Sequence, residues 1–276
     1  MRSLLVAALV LVLVAGSTQA GVIMITTQDT WEGGTGRAGE LPDDQFITWL
    51  QGMGHTVIKK TVTGVIGAAA FATELETNNV DLVIIGPRNS SGNYSDKGLN
   101  AIPVPMLAML PHAIRPDRLN WPGAGAAGTD GQAWTDVDVT NVEVAGHAWV
   151  AGLGTKFFDY TSTNGNGDTR WYDAGNTAGS GDVIARRSGD VDTLAIVSWD
   201  VGDILADNTT LTAPRAVFMG TNWARCGADW TSSFDTNYTA DGKESLRRVI
   251  SSIIPEPTTL ALLGLGVVAS LIRRKK

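Results

Sequence analysis

Cysteine is nearly absent from this chain of 276 residues: Cys226 stands alone. No internal disulfide can form and no cysteine metal cluster is possible, so the core must hold by burial alone. Histidine is almost as scarce, with only His55, His112 and His147. No H-E-x-x-H, phosphate-loop or G-x-S-x-G pattern occurs, which removes the common zinc-protease, nucleotide and serine-hydrolase signatures. Positive charge is also in deficit. Between Gly21 and Ile254 there are 16 basic against 27 acidic residues, a net charge of −11, which repels nucleic acid and anionic lipid. No internal repeat is visible, and the longest apolar runs sit at the two ends.

Those ends read as addresses. Met1-Arg2 is a short basic start, Leu4 to Ala15 an apolar run, and Thr18-Gln19-Ala20 a small-residue cleavage site, so residues 1–20 read as a signal peptide and the mature chain starts at Gly21. At the other end, Pro255-Glu256-Pro257 precedes an apolar helix from Leu260 to Ile272 and the cations Arg273, Arg274, Lys275 and Lys276. That helix has 13 residues, short of the roughly 20 that span a bilayer core, so Thr258, Thr259 and snorkelling arginines must extend it. The cations stay cytoplasmic, which leaves the preceding chain outside. Residues 255–276 resemble a PEP-CTERM sorting tail of Gram-negative bacteria. The leader implies export through the Sec translocon and trimming by signal peptidase; the tail resemblance implies transient anchoring in the inner membrane, cleavage by an exosortase, and residence at the cell surface or in the extracellular matrix.

From Gly21 to Ile254 the chain is long enough for one sizeable core. Val22 to Thr26 is apolar on both faces and too short for a helix, so it reads as a buried strand. Pro42, Asp43 and Asp44 open a helix with Phe46, Ile47, Leu50 and Met53 on one face, and Gly54 stops it. His55 to Val62 alternates as a second strand, Ile66 to Glu76 forms a second helix, and Asp81 to Ile85 is another apolar strand. Such alternation predicts an α/β fold: a mostly parallel sheet with helices on both faces, three layers in all. Val104 to Leu110, Leu194 to Trp199 and Ala216 to Met219 supply further strands, and Asp241 to Ile254 a closing helix whose start resembles a capping box of Asp241 and Glu244. Between them, about 121–190, turn-rich sequence reads as a loop-rich β insertion. Within it Asn164, Asn166 and Asp168 have calcium-loop spacing, but Thr169 and Gly175 stand where an EF-hand needs Gly and Glu, so an EF-hand is excluded and the stretch reads as an Asn-Gly turn, with a weaker calcium contact as the alternative and no metal site assigned.

The strand Val22-Ile-Met-Ile, the helix end Gly52-Met-Gly-His-Thr-Val and the strand Asp81-Leu-Val-Ile-Ile-Gly resemble the flavodoxin-like domain of class I glutamine amidotransferase-like proteins, including the ThuA-like group. The amidotransferases of that class need a cysteine on a tight strand-to-helix turn; here Pro87-Arg88-Asn89-Ser90 follows the third strand, and Cys226 lies far along in Asn222-Trp-Ala-Arg-Cys-Gly. The nucleophile is missing.

Open parallel sheets bind ligands beyond the carboxyl ends of their strands. That rule gathers Thr27, Gln28, Asp29, Trp31, Arg88, Asn89, Ser90, His112, Trp199, Asp200, Asn222 and Trp223, whose indole, amide and carboxylate groups suit a sugar. The preferred reading is a non-catalytic envelope or matrix protein that binds glycan and needs no cofactor. The alternative is a ThuA-like sugar-modifying enzyme or hydrolase with Asp29 and His112 as its acid and base.

Overall fold

The computed structural model describes residues 20–28, 42–87, 89–123, 126–130, 137–139, 144, 146–158, 169–173, 178–218 and 234–254. The leader, the sorting tail, Asp29, Trp31, Arg88, the 164–168 loop, Asn222, Trp223 and Cys226 lie outside the described residues. Among the described residues, ten strands form one mixed sheet. They are β1 (Val22–Thr27), β2 (Thr56–Thr61), β3 (Leu82–Ile85), β4 (Met106–Ala108), β5 (Ala126–Asp130), β6 (Val137–Asp138), β7 (Thr169–Asp173), β8 (Asp182–Arg187), β9 (Thr193–Trp199) and β10 (Arg215–Phe218). The helices are α1 (Pro42–Gly52), α2 (Ala68–Thr77), the single turn α3 (Phe234–Asn237) and α4 (Ala240–Ile253).

The parallel half runs β2-β1-β3-β4-β10. Its inner strands β1, β3 and β4 are buried on both sides because both sides are covered, while the edge strand β2, with Lys59 and Lys60, is only partly buried. Ile23, Ile25 and Ile84 pack with Phe46 and Leu50 of α1 and with Leu246, Val249 and Ile250 of α4. Met24, Val83 and Ile85 point the other way, onto Phe71 and Leu75 of α2 and onto Tyr94 and Leu99 of two short 3-10 turns. Each such side chain, fully buried, contributes about 1.5–3 kcal/mol of hydrophobic free energy. The capping of α4 differs from the expectation: Thr239 is its N-cap, with Oγ1 accepting from the Gly242 backbone N–H at 3.1 Å. Asp241 accepts instead from the Gly154 N–H at 3.0 Å, and Glu244 pairs with Arg247 and Arg248. Gly242 has no substitute, since a Cβ there would lie 2.1 Å from the Phe157 carbonyl oxygen.

The other half corrects the expectation of a mostly parallel sheet reaching through Leu194. β9 is antiparallel to β10, with Val197 opposite Val217 and Trp199 opposite Arg215. A parallel return needs a crossover of a dozen or more residues, usually a helix. The stretch from Asp200 to Pro214 is a chain of turns with a bridge between Ile204 and Thr210 and no helix, so the chain comes straight back. The 121–190 stretch is likewise no appended lump: β5 and β7 pair antiparallel, β7 and β8 both pair with β9, and β6 pairs with β8, which extends the same sheet.

Parallel order gives the sheet two unlike ends. At the amino end, Arg215 is fully buried at the start of β10, and its guanidinium donates only to carbonyl oxygens: Val104 at 2.9 Å, Ala213 at 3.2 Å, Pro214 at 3.1 Å, Asn100 at 2.9 Å and Ile102 at 2.8 Å. Burial pulls its pKa down to about 10, so it remains a cation at neutral pH, solvated by the loop it ties to β10.

Candidate functional site

At the carboxyl end, β1 connects outward to β2 on one side while β3 leads to β4 on the other, so the chain changes direction between β1 and β3. That switch point is where open α/β sheets leave a crevice. Gly86, just past β3, donates its N–H to the Thr26 carbonyl at 3.1 Å, and a Cβ on it would sit 2.6 Å from that oxygen, so only glycine lets the two strand ends close. The loop then crosses β1. Asn89 donates Nδ2 to the same Thr26 carbonyl at 2.7 Å, and the Ser90 N–H donates to Gln28 Oε1 at 3.0 Å. Thr26 Oγ1 donates to the Ile84 carbonyl at 3.2 Å and lies 2.7 Å from the Tyr94 hydroxyl. Burial raises the Tyr94 pKa well above the usual phenol range, so the hydroxyl keeps its proton and cannot act as a base. Thr27 Oγ1 donates to the carboxylate of Asp43, a buried acid in the first turn of α1.

Two polar atoms in this cluster have no partner. Asn89 is 1% exposed and pinned through Nδ2, yet its Oδ1 accepts nothing; Asn93 is 7% exposed and its Nδ2 donates to nothing. An unsatisfied buried polar atom costs about 1–3 kcal/mol. Native folds pair the great majority of such atoms with protein, water or ligand. One buried acceptor and one buried donor thus stand unpaired on residues four apart in the loop that follows β3.

Of the residues gathered from the sequence, the fold brings Thr27, Gln28, Asn89 and Ser90 together. His112 lies at the same end of the sheet, half-buried in the 3-10 turn Pro111–Ile114 that follows β4. Trp199 does not join them. Because β9 runs antiparallel, its carboxyl end, with Asp200, lies at the amino end of the parallel strands. The Trp199 indole is fully buried, donates Nε1 to the Ala178 carbonyl at 3.1 Å, meets Trp121 edge-on at 5.7 Å and lies against Gly181, where a Cβ would come within 2.5 Å of the ring. It is core and offers no stacking face. His147 is half-buried against Trp149, its Nδ1 accepting from the Trp149 N–H at 3.3 Å, and burial lowers its pKa. Sequence reasoning missed Thr26, Asn93 and Tyr94. The available signal was a threonine pair closing an otherwise apolar strand, and an Asn-Tyr pair in the loop that covers it.

Among the described residues no group of three or more His, Cys, Asp or Glu could hold a metal ion. None of the described helices is long and apolar enough to cross a membrane. The fold and site together define an α/β protein with a polar strand-end site. Residues 254–276 match the PEP-CTERM protein-sorting motif, and the chain therefore carries the tail of an exported protein processed by an exosortase. No curated protein and no solved structure matches the chain.

Proposed function

We propose that the chain is an exported, exosortase-processed protein of the cell envelope or extracellular matrix. In this reading it holds a neutral, hydroxyl-rich ligand of glycan type at the carboxyl ends of β1 and β3 without chemically altering it. The observation that carries the export half is the sorting-motif match over residues 254–276. Deleting Pro255 to Lys276 turns an envelope-retained protein into a freely secreted one; unchanged fractionation overturns the reading. The binding half is supported by the Asn89 acceptor and Asn93 donor, since a sugar hydroxyl serves both. The net charge of −11 between Gly21 and Ile254 disfavours polyanionic ligands. Titrating the exported protein with a panel of neutral oligosaccharides, beside an Asn89→Leu variant, tests it: no binding by either protein, or equal binding by both, rejects this site.

A second reading has one observation in its favour. The order β2-β1-β3-β4-β10 follows the pattern of flavodoxin-type doubly wound sheets, which supports the ThuA-like resemblance for the parallel half. Fold alone does not license an activity. Hydrolysis of a glycoside or amide, abolished by His112→Ala or Asp29→Ala in a folded protein, would establish the enzyme.

A further inference from the structure

Gly21, the first residue after the expected leader, is buried, while Ala20 before it is exposed. The Gly21 N–H donates to His55 Nδ1 at 3.1 Å, and its carbonyl accepts from the Thr56 N–H at 3.0 Å. The next N–H, that of Val22, donates to Asp81 Oδ2 at 2.8 Å. A Cβ on Gly21 would lie 3.2 Å from that same carboxylate oxygen and 3.2 Å from Ile254 Cγ2. The imidazole thus accepts from the Gly21 nitrogen and the carboxylate from the next one while lying against the Gly21 Cα; as an amide, the Gly21 nitrogen has a single hydrogen to give.

We propose that His55 and Asp81 form a niche for the α-ammonium group created when the Ala20–Gly21 bond is cut, so that leader removal adds an ionic tie that the uncleaved chain cannot make. This rests on the export reading above. In the cut, a peptidase adds water across the bond: the hydroxyl goes to the Ala20 carbonyl carbon, giving a carboxylate, and hydrogen goes to the Gly21 nitrogen. That amine takes a further proton from solvent at neutral pH. One of its three hydrogens keeps the His55 bond and the others turn to Asp81, which neutralises the charge. Burial lowers the His55 pKa, so the ring stays a neutral acceptor. Glycine suits this position because a larger residue would crowd both Asp81 and the end of α4.

The test uses the mature chain, Gly21 to Lys276, in detergent, released from an amino-terminal carrier by a protease that leaves Gly21 first. Acylation of the α-amine at pH 7, read by peptide mass spectrometry, is expected to run at least about tenfold slower than in the urea-unfolded chain, since pairing with a carboxylate holds the amine charged. A chain retaining Ala20 should label at the unfolded rate and melt about 2–4 °C lower. Asp81→Asn should restore fast labelling. Labelling of native Gly21 at the unfolded rate, or equal melting of the Gly21 and Ala20 forms, overturns the niche. Amino-terminal sequencing of the exported protein is a separate arm: a first residue other than Gly21 overturns leader removal at this bond, whatever the niche does in vitro.

Discussion

The two ends of the sheet satisfy their buried polar groups to different degrees. At the amino end, the Arg215 Nη1 and Nη2 atoms donate to five carbonyls and only its Nε is left without a partner, while the Gly21 and Val22 N–H groups are each matched to a side chain. At the carboxyl end, Asn89 and Asn93 are also buried, and each leaves an atom unpaired. All three side chains are buried, Arg215 at 0%, Asn89 at 1% and Asn93 at 7% exposure, so solvent access does not explain the difference. Two unpaired atoms on one loop are a larger stability cost than the single unpaired Nε of Arg215, and the glycan-binding proposal assigns them a use. The ends also differ in what is attached to them. Gly21 and Ile254 meet at the amino end, so the chain enters and leaves the described domain there, and the switch point lies at the far end of the strands.

If the amino end is built for stability, its disruption should give the largest loss. Arg215→Leu strips a guanidinium from five carbonyls, three of the hydrogen bonds fully buried, and should cost about 3–5 kcal/mol, read as a drop in the urea midpoint. A loss under about 1 kcal/mol would mean that water can replace the guanidinium, and the contrast between the ends would shrink.

Why Arg215 escaped sequence reasoning shows where such reasoning stops. The alternation of Val22–Thr27, Pro42–Gly52, Thr56–Thr61, Ala68–Thr77 and Leu82–Ile85 was legible because each element carries its own period and its neighbours in sequence are its neighbours in space. The direction of β9 was not, because its apolar run is the same read either way and only the missing crossover helix decides it. That one reversal took Trp199 and Asp200 away from the site. Strands β5, β7 and β8 hid in turn-rich sequence because their pairing partners are remote. Unpaired atoms such as Asn89 Oδ1 are illegible in principle, since hydrogen-bond accounting requires every neighbour to be known.

Tyr94→Phe probes the carboxyl end without touching the unpaired atoms. It deletes the hydroxyl beside Thr26 Oγ1 and leaves the ring, and Thr26 keeps its bond to the Ile84 carbonyl. The expected cost is about 1 kcal/mol by chemical denaturation. A cost near that of Arg215→Leu would show that this end, too, is held chiefly for stability.

Glu244, on α4 between the two ends, supplies a pH control. Hydrogen bonds from Arg247 and then Arg248 hold its carboxyl down at about 2. Its folded pKa is below its unfolded value, so its contribution is complete above the unfolded pKa of about 4.5 and is lost as pH falls toward about 2. Because the pair is partly exposed, the effect should be about 0.5 kcal/mol. Glu244→Gln should flatten the acid limb of the stability curve by that amount and leave neutral pH binding unchanged.

The smallest expected effect on stability is the most informative. Asn89→Leu removes a bond to the Thr26 carbonyl, but the Gly86 N–H still donates to that oxygen, so no acceptor is orphaned. The substitution also removes the unpaired Oδ1, whose burial was itself a cost. The two nearly cancel, and the urea midpoint should move by less than about 1 kcal/mol, with stabilisation as the favoured sign. Binding of the neutral ligand should fall at least about tenfold, since a lost hydrogen bond to a bound hydroxyl is worth about 1.4 kcal/mol or more. A variant that folds as well as the parent and binds nothing would separate the two ends cleanly. One that loses several kcal/mol of stability would show that Asn89 is a structural tie after all, and that its unpaired oxygen is strain the fold tolerates.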